Sequence, residues 1–389
     1  MFEKLPTAWL QLRYQKVRLI VALSGVIFAV VIIFMQLGLR DALFDSAVRL
    51  HQGLKGDCFL ISSRSTALIA MQSFPERRLL QALAFPEVDF VNPIYLDFAQ
   101  WKNPQTRNYW RNIFVIGFDL RHQVFDFPGV AENLDKLKRP DVVLFDQNSR
   151  SEFGSIVSEF KKQGNLTVEV SNKTSNRRIK VMGLFELGTS FGADGNLLTS
   201  HLNFLRIFSN RQQRFVDIGL IKLKPGNNVD NFLKKLKEYL PKDVKVLSKQ
   251  GLMDFEKNYW QSSTAIGFIF NLGVFLGLVV GIVVVYQILY TNVSEHLSEY
   301  AMLKAMGYRH KYLLSVVLQQ ALLIAILGYT PGFIISCIQY EFTKQATLLP
   351  IAMTLNRAVF VLAATIIMCS ISGVIAVGKL KAADPADIF

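Results

Sequence analysis

Gly188-Thr189-Ser190-Phe191-Gly192 is the string whose spacing could place a catalytic nucleophile, because G-x-S-x-G is the tight elbow that lifts a serine between a strand and a helix. The elbow requires a helix after the serine. Here the serine leads into Gly192-Ala193-Asp194-Gly195-Asn196, a turn-rich run that starts no helix, and Asp194 and His201 crowd too closely behind Ser190 for the chain order of an α/β-hydrolase. The string therefore reads as a glycine-rich loop between strands, and a membrane-anchored serine hydrolase is the reading it displaces. Five histidines (His51, His122, His201, His296, His310) show no i,i+4 pairing and no cysteine companions, so no metal site is expected. Cys58, Cys337 and Cys369 lie too far apart for a zinc ribbon or a CxxC site. Asn165 and Asn172 head sequons that would matter only in a glycosylating secretory pathway, and they read as polar turns. No G-x-x-x-x-G-K-[ST] loop occurs, so the chain cannot cradle nucleotide phosphates itself. It is expected to be non-catalytic and to carry no cofactor; work done on it has to come from a partner.

Half of the 389 residues are hydrophobic (51%), only 19% are charged, and the mean hydropathy is +0.28. That balance argues against a disordered chain and an ordinary soluble enzyme and points to a membrane protein. Four transmembrane helices are expected at 19–39, 264–290, 313–340 and 358–378, inside charge-free runs. The first is longer than a signal-peptide core and no small-residue cleavage site follows it. None contains Asp, Glu, Lys, Arg or His, which leaves no proton relay and disfavours a secondary transporter. Lys4, Arg13, Lys16, Arg18, Lys304, Arg309, Lys311, Lys379 and Lys381 face only Lys344 and Arg357 across the membrane. The positive-inside rule then puts 1–18, 294–312 and 379–389 in the cytoplasm, and 40–257 and 341–357 outside. The formal charge of +13 could suit nucleic acid, but the other basic residues are scattered among acids in the large loop, so no nucleic-acid partner is expected. Residues 1–18 mix Trp9, Leu10, Leu12 and Tyr14 with Arg13, Lys16 and Arg18, and read either as an amphipathic helix on membrane lipid or as a positive anchor for the first span.

The large loop opens with a stalk helix over 40–54 that Gly53 and Gly56 break. A strand at 58–62, a helix at about 66–85 and a strand at 88–97 make one βαβ unit. A strand at 215–224, a helix at 229–240 and a strand at 244–247 make a second. The fold class is thus an α-helical membrane protein with a large α+β external domain: a porter-like split βαβ over 58–107 and 214–249, with a strand-rich subdomain inserted at 108–213.

Gly273, Gly277 and Gly281 recur every four residues in the second span and strip one helix face for close approach. That stripe suits a homodimer interface; the alternative is packing inside the chain against the first span, where Gly25 and Ala29 offer a notch. The third span carries Gly328, Pro331 and Gly332 and should kink there, and Gln319 and Gln320 offer hydrogen bonds between helices. Between spans two and three, Ser298 can cap a short helix, Glu299 suits its positive end and Gly307 its C′ position. Tyr300, Met302, Leu303, Lys304 and Met306 then belong to a mostly apolar cytoplasmic helix, which either lies on the bilayer or docks into a partner's groove.

The run Glu299-Tyr-Ala-Met-Leu-Lys-Ala-Met-Gly307 resembles the coupling-helix motif of MacB/FtsX-type ABC transporter permeases, and Ala383-Asp-Pro-Ala-Asp-Ile-Phe389 is similar to their D-P-A ending. Phe34-Met-Gln-Leu-Gly38, the stretches 44–47 and 51–56, and Gly183 through Gly192 resemble the DevC subgroup of cyanobacteria. The resemblance implies a dimeric permease of the cell inner membrane with a periplasmic large loop. Its partners would be a separate ABC ATPase subunit that binds the ATP, a membrane-fusion adaptor and a TolC-like outer-membrane channel. Export, of glycolipid in DevC-type systems, would follow from transmitted motion. The rival within the same likeness is a regulator of the FtsX division type that activates a periplasmic hydrolase, although its external loop is usually much smaller.

Overall fold

The computed structural model describes residues 16–106, 108–172, 174–295 and 310–381. The described helices, in chain order, are α1 (Lys16–Ala47), α2 (Arg49–Gln52), α3 (Arg77–Gln81), α4 (Val130–Asn133), α5 (Ile156–Gln163), α6 (His201–Ile207), α7 (Val229–Tyr239), α8 (Lys249–Asn258), α9 (Ala265–Glu295), α10 (His310–Thr347) and α11 (Leu355–Lys381). The strands are β1 (Cys58–Ser62), β2 (Phe74–Pro75), β3 (Val88–Lys102), β4 (Trp110–Phe118), β5 (Val142–Asp146), β6 (Leu166–Ser171), β7 (Asn176–Phe185), β8 (Asn196–Ser200), β9 (Phe215–Val216), β10 (Ile218–Leu223) and β11 (Val244–Ser248). The chain divides into two compact units, Leu43–Thr264 and the remainder.

The first unit is built on a sheet of order β11-β1-β10-β3-β4-β8-β5-β7-β6. In its first part β1 pairs antiparallel with both β10 and β11, and β10 pairs antiparallel with β3. The strands of each strand–helix–strand unit are therefore separated by a strand of the other. β3 is longer than its expected end at residue 97: its first half pairs with β10 and its second with β4. The strands of the inserted segment consequently grow from β3 as one continuous sheet, and β6 returns to β3 at Gln100↔Ser171 and Trp101↔Val170, closing a ring around Trp101 and Phe145. Period-two alternation sorts neighbours to opposite faces. Leu60, Val115, Val143 and Leu197 enter one core, while Ile61, Phe114, Leu144 and Leu198 enter another. Burial on both faces explains why these strands read as unbroken apolar runs.

Two expected elements are interrupted. The helix at about 66–85 is instead a 3-10 turn (Leu68–Ala70), β2, α3 and a second 3-10 turn (Ala82–Ala84). Pro75 cannot sit inside a helix, and Phe74–Pro75 pairs with β9 instead. The strand expected over 215–224 breaks at Asp217, whose carboxylate accepts the Leu96 N–H at 2.7 Å and pairs with Arg211.

The other unit contains α9, α10, α11 and α1 up to Ala42. Among the described residues, four helices are long and apolar enough to cross a membrane. Ala22, Val26, Ala29 and Ile33 follow one helical stripe of α1 and are fully buried against the other helices. The loop expected at 341–357 is shorter than its charges suggest: α10 runs on to Thr347, with Gln345 donating to Glu341 one turn back. The helix ends where Leu348 adopts φ +60°. Thr354 Oγ1 then accepts the Arg357 N–H, capping α11.

Candidate functional site

The coupling residues read from the sequence, Glu299, Tyr300, Met302, Leu303, Lys304, Met306 and Gly307, lie outside the described residues, as do 1–15 and 382–389. What the structure does describe is the pair of helices that lead into and out of that segment. Near the end of α9, Asn292 Nδ2 donates to Gln320 Oε1 of α10 at 3.1 Å, and both side chains are buried. Leu289, Val293, Val317 and Ala321 surround them with apolar surface. In a water-poor interior such a bond contributes roughly 0.6 to 1.7 kcal/mol, and it fixes the rotation of α9 against α10. Gln320 thus meets the expectation of a bond between helices. Further along, Ser372 Oγ of α11 donates to the Ile282 carbonyl of α9 at 2.9 Å.

The glycine stripe is occupied within the chain. A Cβ on Gly277 would approach Ile33 Cγ1 to 3.1 Å and Ile32 Cγ2 to 3.3 Å, Gly281 faces Met368 and Ala29, and Gly273 faces Gln36. Gly328 and Gly332 of α10 receive Val26 and Val30 in the same manner. The first span is therefore seated between two sets of notches. α10 is helical through Pro331, with Thr330 Oγ1 donating to the Ile326 carbonyl at 2.9 Å.

At the opposite ends of the helices lies a polar tie that sequence reading did not anticipate. Arg357 of α11 is 7% exposed; it donates to Asp41 Oδ2 of α1 at 2.7 Å and to the Ala352 carbonyl at 2.7 Å. Its guanidinium also meets the hydroxyl of Tyr340 on α10, which in turn donates to the Phe34 carbonyl of α1. Arg40 pairs with Asp41 at 3.0 Å and reaches Asn271 of α9. One cluster thus joins all four helices. The sequence shows Asp41 and Arg357 only as charges that bound hydrophobic runs, and nothing in their spacing pairs them across 316 positions.

In the other unit, Ser190, Asp194 and His201 enter separate sets of contacts. Ser190 Oγ accepts the Ala193 N–H in a turn, Asp194 is held by Arg111 and Arg150, and His201 lines a cavity beside Asp119. The loop carrying Ser190 is anchored by Asp146, which accepts the N–H groups of Leu187 and Gly188 and the Asn196 amide. Burial pushes the Asp146 carboxyl up, against those hydrogen bonds. A second buried carboxyl closes the carboxyl-terminal end of this unit: Glu256 of α8 accepts the Leu68 N–H at 2.7 Å and the Trp260 Nε1–H at 2.8 Å. Burial raises it to about 7 despite those bonds. Immediately beyond it, Tyr259–Ser263 forms one π-helical turn.

Residues 271–385 match the family described as FtsX-like permease C-terminal. The match covers less than a third of the chain. The matched stretch takes in most of α9 and all of α10 and α11, hence the Asn292–Gln320 tie and the undescribed segment between α9 and α10. No curated protein matches the chain. Among solved structures, the periplasmic region of MacB from Actinobacillus actinomycetemcomitans is 14% identical, covering 53% of this chain and 94% of its own with a TM-score of 0.35. The extracellular domain of the noncanonic ABC-type transporter YknZ from Gram-positive bacteria is 12% identical, covering 50% of this chain and 99% of its own with a TM-score of 0.32. The fold is defined by its strand pairing rather than by these two likenesses.

Proposed function

We propose that the chain is the membrane permease subunit of a MacB/DevC-type ABC exporter, working as a mechanical transmitter. The observation that carries this reading is the FtsX-like permease match over 271–385. In this reading the termini and the segment 296–309 face the cytoplasm, and two copies of the chain engage two copies of a separate ABC ATPase that binds the ATP. Glu299, Tyr300, Met302, Leu303, Lys304, Met306 and Gly307 form the surface that rests on that ATPase. Its closure displaces the segment, and the Asn292–Gln320 tie makes α9 and α10 move together rather than slide. The seated first span and the cluster around Arg357 pass the displacement between helices. Residues 43–264, a porter-like periplasmic domain, work with a membrane-fusion adaptor and a TolC-like channel on an exported cargo, glycolipid being the first to test. Homodimer contacts use helix surface other than the glycine stripe, which is filled within the chain. The test is Met302→Asp in the chain co-expressed with its ATPase: the complex should lose most of the ATP hydrolysis that the chain stimulates while the spans stay folded. Undiminished stimulation would overturn the assignment of that segment.

A further inference from the structure

A cavity of about 530 Å³ opens on the 43–264 unit between the end of β4, the segment before β5 and α6. Its floor is rigid. Asn203 donates to the carbonyls of Leu137, Arg139 and Val142 and accepts the Asp141 N–H, so α6 is fastened to the strand approach. Asn92 exchanges hydrogen bonds with the backbone of Asp119 on the other side. Arg121, Lys138 and Arg206 line this cavity against one carboxylate, Asp119, which Arg121 already engages at 2.6 Å. Lys138 meets Asp135, whose side chain is 90% exposed, and such an exposed pair is worth little. Arg206 has no ion pair among the described residues. Net positive charge is therefore left over in a concave site, where a low-dielectric wall strengthens its attraction for an anion. Beside the cations stands an apolar shelf: Leu120, Pro140 and Leu202, the last 60% exposed. A forked guanidinium beside an ammonium suits phosphate oxygens, and the shelf suits a short hydrocarbon.

The geometry points to a binding site for an organic phosphate with an apolar portion, its phosphate held by Arg206, Lys138 and Arg121 and its hydrocarbon on Leu120 and Leu202. The site stands independently of the permease reading, since every residue in it belongs to the 43–264 unit. Such a phosphate can come from a lipid headgroup or from a soluble metabolite, and the two are separable. The probe is hexyl phosphate, measured by equilibrium dialysis against the full chain in a neutral maltoside detergent, beside inorganic phosphate and hexyltrimethylammonium. Saturable binding of one hexyl phosphate per chain is expected, with weaker inorganic phosphate and no bound cation. The variant Lys138→Glu with Arg206→Glu, both on exposed side chains, should weaken it by about tenfold or more, and Leu202→Ser should bring hexyl phosphate down to the affinity of inorganic phosphate. Arg206→Gln alone, the mildest change, should give a smaller loss in the same direction. Absence of saturable binding, or variants that bind like the wild type, would overturn the site. Repeating the titration in nanodiscs distinguishes the sources. Weakening in phosphatidylglycerol relative to phosphatidylcholine discs that the double variant abolishes upholds the site as a lipid-headgroup pocket. Equal affinity in both upholds it for a soluble phosphate.

Discussion

Arg357 and Glu256 are the two residues whose surroundings say most about how this chain is held, and neither is conspicuous in the sequence. Arg357 is buried against Asp41 and Tyr340. Removing one partner of a fully buried pair costs about 3 to 5 kcal/mol; Asp41 is a third exposed, so the cost here should lie toward or below the lower end. Arg357→Met and Asp41→Asn should each destabilise the membrane unit, and the double variant should cost less than the two summed, as a thermal-unfolding double-mutant cycle would report. Strict additivity would mean the pair is not coupled. Glu256 gives a pH signature. Its carboxyl titrates at about 7 in the folded protein, well above the ordinary carboxyl value, so the folded state holds a proton that the unfolded state has lost. Stability is unaffected while both states are protonated and then falls as pH rises from about 4.5 through 7, by at most about 3 kcal/mol for one such group. The melting temperature of the 43–264 unit should therefore decline across that interval, and Glu256→Gln should flatten the decline. An identical slope in the variant would place the titration elsewhere. A sequence shows that Asp41, Arg357 and Glu256 are charged; it does not show that folding brings the Leu68 N–H to Glu256 or Asp41 beside Arg357.

Helices and strands are legible in the sequence where one local rule governs them, and depart from it where a distant partner does. The strands Cys58–Ser62 and Val244–Ser248 and the helix Val229–Tyr239 begin and end within a residue of their expected limits, and Asn228 caps that helix by accepting the Asn231 N–H. The helix expected near 66–85 failed because Pro75 joins Phe74 in a bridge to Phe215–Val216, a partner about 140 residues away. The spacing of the glycine stripe marks a packing face, and its partner inside the chain comes from the position of α1 rather than from the stripe. Gly277→Leu should therefore disturb packing of the first span on α9: overfilling that contact with Ile33 costs about 1 to 3 kcal/mol, with no need for a second chain. A lowered melting temperature in a monomeric preparation is the expected result; a change confined to dimer formation would contradict the intrachain assignment. Asn292→Leu and Gln320→Leu belong to the same scale. Replacing both should be milder than replacing one, because a single leucine leaves the remaining amide buried without this partner.

At the scale of the whole molecule, the described residues form one unit with four long apolar helices and another built on one long sheet, and the sequence offers no phosphate-cradling loop. Hydropathy made the four helices legible because a bilayer imposes length and composition on any segment that crosses it. The closing of β6 on β3 was not legible, since strand order depends on pairings that no local pattern encodes. In the proposed reading the chain transmits work that another subunit supplies. That dependence is read directly by ATP hydrolysis of the tagged chain purified from its native membranes, with and without the subunits that accompany it, for wild type and Met302→Asp. The expected result is no hydrolysis by the chain alone, a co-purifying ATPase whose rate the wild-type chain raises, and loss of most of that stimulation in the variant. Hydrolysis by the isolated chain, or the absence of any nucleotide-hydrolysing partner, would contradict the dependence.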